Sequence, residues 1–188
     1  ACGNHSATRT QSITVVDTQA PTIGAAGGNA TIECTATPSF TPPTASDDCS
    51  GATVNNLGTT TSTTGCTKVL TRTWDATDAC GNHSATRSQI ITVVDTQGPS
   101  IGGQGANAEI NCTATPSFTP PTASDACNGA TVNQLSTTST TTASSTIITR
   151  TWDATDACGN HSATVSQTIT IDACPTTFCG FTQGFWGN

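Results

Sequence analysis

The chain has no methionine and no tyrosine, and aromatic residues make up only 4% of its 188 residues. Basic residues are few as well: five Lys and Arg stand against twelve Asp and Glu, for a net charge of −7. A nucleic-acid binder needs a basic face, so that class is excluded. No apolar run approaches the length of a membrane span. No C-x-x-C occurs, and the cysteine spacings are not those of zinc fingers. No secretory leader is visible, which says little because the chain opens inside a repeat.

Thr, Ser, Ala, Gly and Asn dominate, a composition that favours solvated strands and turns over long helices. The ten cysteines are many for a cytosolic protein and point to an oxidising, extracellular setting. The strongest signal is repetition. Ala1–Thr8 recurs as Ala79–Thr86 and as Ala157–Thr164, a period of 78 residues. The stretch Thr35–Asp47 returns unchanged as Thr113–Asp125. A fixed period of this size means an array of like domains, and such arrays do mechanical or binding work more often than catalysis. So small a repeat has a small core, which cross-links would help to stabilise.

Comparing the copies fixes the faces of one strand. Positions 13, 91 and 169 are all Ile, and positions 15, 93 and 171 are Val, Val and Ile, whereas 12, 90 and 168 vary. Two-residue alternation therefore turns Ile91 and Val93 inward and Ile90 outward. The strand stops at a Gly-Pro turn signal, Gly98-Pro99, which places a domain boundary there. On that frame residues 1–17 are the end of a preceding repeat, 18–95 and 96–173 are whole domains, and 174–188 are a Cys- and aromatic-bearing tail. The chain then reads as an excerpt of a longer protein; a subunit donating its first strand is the other option.

Within a domain, strands are expected at Pro21–Ile23, Asn29–Cys34, Ala52–Leu57, Lys68–Thr77 and the final 88–94 segment. Thr35–Ser50 is a Pro-rich crossing, and Thr59–Thr64 is either an exposed edge strand or a loop. Short strands with frequent turns read as an all-β fold, tandem immunoglobulin-like antiparallel sandwiches. Leu70, Arg72, Trp74 and Ala76 share a face; Trp74 and Ala76 suit a core. Arg72 there either snorkels at the sheet edge or is stacked or paired.

Arg72–Asn82 (RTWDATDACGN), the Gln89–Asp95 strand and Pro99 resemble the hyalin-repeat (HYR-like) domains. The nearest version is the Cys-rich one found in tandem in large surface proteins of Bacteroidetes-type bacteria. Thr31–Cys34 and Ala45–Cys49 fit it too. The resemblance implies an immunoglobulin-like fold, a part in adhesion or extracellular architecture, and no catalytic residue. Two departures put a uniform disulfide scheme in doubt: Ile23-Gly24 stands where many such repeats carry Cys-Pro, and Ser144 stands at the place of Cys66.

Cys49 and Cys80 each follow an Ala-Ser/Thr-Asp-x motif in loops expected at one pole. The expected bridges are Cys49 with Cys80 and Cys127 with Cys158, and Cys34 then pairs with Cys66. Cys112 is either free or bonded to Cys174. Cys174 and Cys179 could close a small loop in the tail, where Phe178, Phe181, Phe185 and Trp186 suggest a docking surface or the first strand of another domain. Asp17, Asp47 and Asp78 at one pole, and Asp95, Asp125 and Asp156 at the next, either bind calcium or cap their own turns. His5, His83 and His161 sit in equivalent turns as solvated residues. His83, Ser84 and Asp78 are the residue types of a hydrolase triad, but adjacent strand residues point apart.

The reading is a non-catalytic stalk or filament segment of an extracellular surface protein, with neighbouring repeats, a homopolymer or a fibre as its partners. The alternatives are a carbohydrate- or protein-binding adhesion module and a spacer of a secreted enzyme. Loops that read as Thr/Ser runs without aromatics favour the spacer.

Overall fold

The computed structural model describes residues 2–175. They form two compact units, one of residues up to Ile32 with Ala36–Val94, the other of Glu33–Thr35 with the described chain from Asp95 onward. All regular structure among the described residues is β.

The first unit contains β1 (Thr22–Ile23), β2 (Ala30–Glu33), β3 (Ala45–Ser46), β4 (Ala52–Thr64), β5 (Thr67–Asp78) and β6 (Arg87–Val94). A four-stranded sheet runs β2-β6-β5-β4, and β1 pairs with β3 in a two-stranded sheet. β3 closes the Pro-rich crossing with a two-residue strand where the sequence pattern predicts none. Its two residues give no alternation to read. The Thr/Ser run is strand: β4 continues through Thr64 and pairs with β5 throughout. The register shifts between Asn56 and Gly58, and Gly58 takes a φ of +113°, so Leu57 bulges outward and is 55% exposed. β4 lies at the sheet edge.

The two layers meet over Ile23 of β1 and Trp74 and Ala76 of β5, with Ala26, Phe40, Ala45 and Val54 packed around them. Ile91 is 2% exposed, which agrees with the inward face read from the copies. Arg72 does not snorkel. Its guanidinium lies 4.2 Å from the centroid of the Phe40 ring, which meets Trp74 edge-on at 6.5 Å. Gln89, 5% exposed, holds the crossing in place: its Oε1 accepts from Thr41 N at 2.8 Å and its Nε2 donates to Gly28 O at 2.8 Å.

The second unit repeats this plan with β7 (Ser100–Gly102), β8 (Ala108–Ile110), β9 (Thr122–Ser124), β10 (Ala130–Thr141), β11 (Ser145–Asp156) and β12 (Val165–Asp172). Its sheets are β10-β11-β12-β8 and β7-β9. β8 joins β12 in parallel, Ile171 opposite Ile110, so the larger sheet is mixed rather than purely antiparallel as expected. Trp152, Ala154 and Ile169 are buried as their counterparts are.

The earlier copy of the last strand behaves differently. Residues 9–16 form no strand, and Ile13, Val15 and Val16 are 80%, 92% and 70% exposed. Alternation alone does not make a strand: β6 is held by pairing with β5 and β2, whereas residues 9–16 pair with no strand.

Candidate functional site

The acidic turns come first, because the sequence places six aspartates in them. Each serves as an acceptor in a turn. Asp47 Oδ1 takes the backbone N–H of Cys49 (2.9 Å) and Ser50 (3.2 Å), and Asp125 Oδ1 those of Cys127 (2.7 Å) and Asn128 (3.0 Å). Asp78 Oδ1 takes Cys80 N (2.9 Å) and Asn82 N (2.8 Å), while its Oδ2 takes the Asn82 amide at 2.8 Å. Asp156 repeats that set with Cys158 and Asn160. Burial alone would raise the carboxyls of Asp78 and Asp156, but the bonds from Asn82 and Asn160 outweigh it and hold both below the usual carboxylate range. Asp17 Oδ1 accepts from Gln19 N at 3.0 Å, and Asp95 Oδ1 from Gln97 N at 3.3 Å.

The expected triplets do not assemble. In the first unit the ligand atoms of Asp17, Asp47 and Cys49 lie within 4.8 Å of one another; in the second, those of Asp95, Asp156 and Cys158 do. Asp78 and Asp125 fall outside these groups. Asp78 spends both oxygens on its own turn, and Asp125 points one oxygen at two backbone amides instead. Asp95 and Cys127, the counterparts of Asp17 and Cys49, also group, but with Cys34 where the first unit has Asp47. One oxygen stands apart: Asp17 Oδ2 is buried and has no hydrogen-bond partner.

The cysteines depart from the expected scheme. Cys34 is bonded to Cys127, with Cα atoms 6.0 Å apart, and not to Cys66. Cys127 is accordingly not bonded to Cys158. The expectation confined each bridge to one repeat, yet Cys34 is counted in the second unit, where its sulfur lies with Asp95 and Cys127. Cys66 and Cys158 are also disulfide-bonded. Cys49 and Cys80 are free and exposed, as is Cys2, so the predicted Cys49–Cys80 bridge is absent. The two thiols are neighbours nonetheless, lining one pocket with Val15–Gln19 and Ser50. Asp17 foremost, then burial, Asp47 and Asp48, push the Cys49 thiol up. Cys112 is bonded to Cys174, Cα to Cα 5.1 Å. The geometry gives the reason: Ala173 N donates to Ser144 O at 2.9 Å, which sets Cys174 beside the position whose counterpart is Cys66. Cys179 and the aromatic tail lie outside the described residues.

Sequence reasoning missed the role of the histidines. His83 Nδ1 lies 2.9 Å from Oδ2 of Asp75, and Asp75 is 9% exposed while the imidazole stands 61% open. Asn55 donates to Asp75 Oδ1 at 2.9 Å and to Thr77 Oγ1 at 2.7 Å. His161, Asp153, Asn133 and Thr155 repeat the arrangement. The bonds from Asn55 and then His83 hold the Asp75 carboxyl below its ordinary range; His161 and then Asn133 do so for Asp153. The available signal was the spacing that sets His83 opposite Thr77 across the turn. No triad forms: Ser84 Oγ is engaged by Ala76 N at 2.8 Å and Ala85 O at 2.9 Å.

Among solved structures the chain is similar to a crystal structure of Drosophila N-cadherin EC1-4, with 12% identity and a TM-score of 0.32 over 83% of this chain and 51% of that one. The chain thus spans about half the length of that fragment. A likeness this slight carries no argument, and the fold stands on the strand pairings themselves. No curated protein matches the chain in sequence. One family model does match: residues 102–171 are similar to the HYR-like domain with 4 cysteines. This stretch holds three cysteines, Cys112, Cys127 and Cys158, with Ser144 at the fourth place.

Proposed function

We propose that the chain is a non-catalytic spacer segment of an extracellular, adhesion-type surface protein, built from repeats at 18–95 and 96–173. The observation that carries this reading is the repetition of whole hydrogen-bond networks at the 78-residue period. Asp75–His83 and Asp153–His161 match at 2.9 and 2.8 Å, and the Gln89 bridge is rebuilt by Gln167, to Thr119 at 2.9 Å and Ala106 at 3.0 Å. Duplicated scaffolding with long strand pairings suits a load-bearing series of domains. The HYR-like match and the disulfides support an extracellular setting. Calcium at the Asp17–Asp47 turn is a subsidiary proposal, supported by the orphan oxygen of Asp17. Single-molecule stretching tests the main reading. With the disulfides reduced, so that the bridges Cys34–Cys127 and Cys112–Cys174 no longer shield either repeat from the force, the chain should give two separate, similar unfolding events, and extension without resolved events would overturn it.

A further inference from the structure

The stacked guanidinium of Arg72 forms one wall of an open groove of about 380 Å³, with Phe40, Pro42, Pro43, Asn56 and Trp74 among its other walls. Rings on Phe40, Pro42, Pro43 and Trp74 line the groove together with Val54. Pro43 and Trp74 are buried at its base, Phe40 and Arg72 are half-buried, and Pro42 and Asn56 are exposed at its rim. Gln89 fixes the loop that supplies Phe40 and the prolines, by its bond to Thr41 N, so the groove is preformed.

The charge in it lacks a counterion. Arg72 donates through Nε to Thr59 Oγ1 at 2.7 Å, and among the described residues no carboxylate pairs with it. A guanidinium carries five N–H donors in a planar fork, and the outer edge of this fork is left unused. Arg72 and Arg150 are two of only five basic residues in a chain of net charge −7. Acidic groups abound elsewhere, yet none has been placed against either arginine. The second unit rebuilds the same stack: Arg150 lies 4.4 Å from the Phe118 centroid, Phe118 meets Trp152 at 6.5 Å, and Arg150 Nε reaches Thr137 at 3.2 Å. Pro120 and Pro121 follow Phe118, and Gln134 stands for Asn56.

We infer that this groove binds acidic carbohydrate, one uronate residue per groove. Its carboxylate lies on the outer edge of the Arg72 guanidinium, its C–H face rests on Phe40 and the prolines, and a hydroxyl meets the Asn56 amide. The volume suits a single sugar ring, in the lower range of small-ligand sites. A bidentate carboxylate–guanidinium pair supplies the missing counterion. Each site is weak alone, and a polymer with a uronate at every few positions could engage the copies in turn. The aromatic wall comes from the Pro-rich crossing that carries Phe40, and not from the Thr/Ser runs.

The test is calorimetric titration of the full chain with tetragalacturonate and with tetramannuronate, both in EDTA to remove any calcium bridging. Saturable binding of at least one is expected, with the methyl-esterified tetragalacturonate and a tetraglutamate peptide binding at least tenfold more weakly. The double variant Arg72→Gln, Arg150→Gln should lose binding at least tenfold. Arg72→Lys with Arg150→Lys should lose several-fold, because an ammonium keeps the charge but not the fork; it decides the matter if the glutamine variant fails to fold. Absence of binding to both uronates, equal binding of ester or peptide, or unchanged affinity in the lysine variant would overturn the inference.

Discussion

His83 and Asp75 are eight residues apart in the chain yet 2.9 Å apart in space, an exposed imidazole resting on a buried carboxylate. Asp75 is acceptor-only when ionised, so Nδ1 of the ring carries the shared proton. The pair ties the turn after β5 back onto that strand. It is therefore a stabilising device with a pH signature.

Because the folded-state carboxyls of Asp75, Asp153, Asp78 and Asp156 are lowered, they bind fewer protons than in the unfolded chain as pH falls. Their contribution is full above about pH 4, the unfolded carboxylate value, and is lost as pH drops through the folded values. Thermal melting followed from pH 7 to pH 2 should show the midpoint falling below about pH 4. Asp75→Asn with Asp153→Asn should lower the midpoint at pH 7 and make that acid loss shallower, since two of the four groups no longer titrate. An acid profile identical to the parent's would mean these carboxylates are not coupled to folding.

Gln89→Ala removes both partners of Thr41 N and Gly28 O. A typical intramolecular hydrogen bond contributes about 0.5–1.5 kcal/mol net, and two part-buried ones are lost together here. Urea denaturation should show a loss of that size, and Gln167→Ala should behave alike because its bridge is the same. A change confined to a few tenths of a kcal/mol would show that water replaces the amide.

Cys49 offers a readout for the acidic turn beside it. The thiolate is the reactive form, and Asp17 is the largest cause of its suppression. Alkylation of Cys49 at neutral pH, followed by mass spectrometry, should quicken several-fold in Asp17→Asn. Calcium bound at Asp17 and Asp47 would offset the same negative charge and quicken labelling in the parent protein. A rate indifferent to millimolar calcium would leave these aspartates as turn caps alone.

The disulfides give a labelling pattern. Without reductant, Cys2, Cys49 and Cys80 should react with a thiol reagent, and Cys34, Cys112, Cys127 and Cys174 should not. Non-reducing peptide mapping should recover Cys112 linked to Cys174. Recovery of Cys112 as a free thiol would contradict the structure.

Where the three copies could be compared, the sequence was informative. The constant Ile at 91 against the variable residue at 90 revealed which face is buried, and Trp74 and Ala76 were readable as core from strand alternation alone. Partners brought together across the chain were not readable. Arg72 was visibly out of place, but its ring lies 32 residues away at Phe40, in a crossing whose path depends on a single glutamine. The Cys34 bridge failed for a similar reason, because a pairing argued within one repeat cannot see a sulfur grouped with the other unit. Cys174 was legible only as one of two options, since the hydrogen bond that seats Ala173 against Ser144 leaves no mark in composition.

The outer rim of β4 carries a seven-residue tract, Gly58–Thr64, with neither a charge nor a proline, and β10 shows a similar one. Such a rim is an open template of amide and carbonyl groups. What guards it is kinked geometry and a dense coat of hydroxyls, each holding water that an incoming strand must displace. Drying, crowding or cosolvents that strip this water act on the rim before they act on the core. The rim is thus held back from strand addition by its bulge and its polarity rather than by charge.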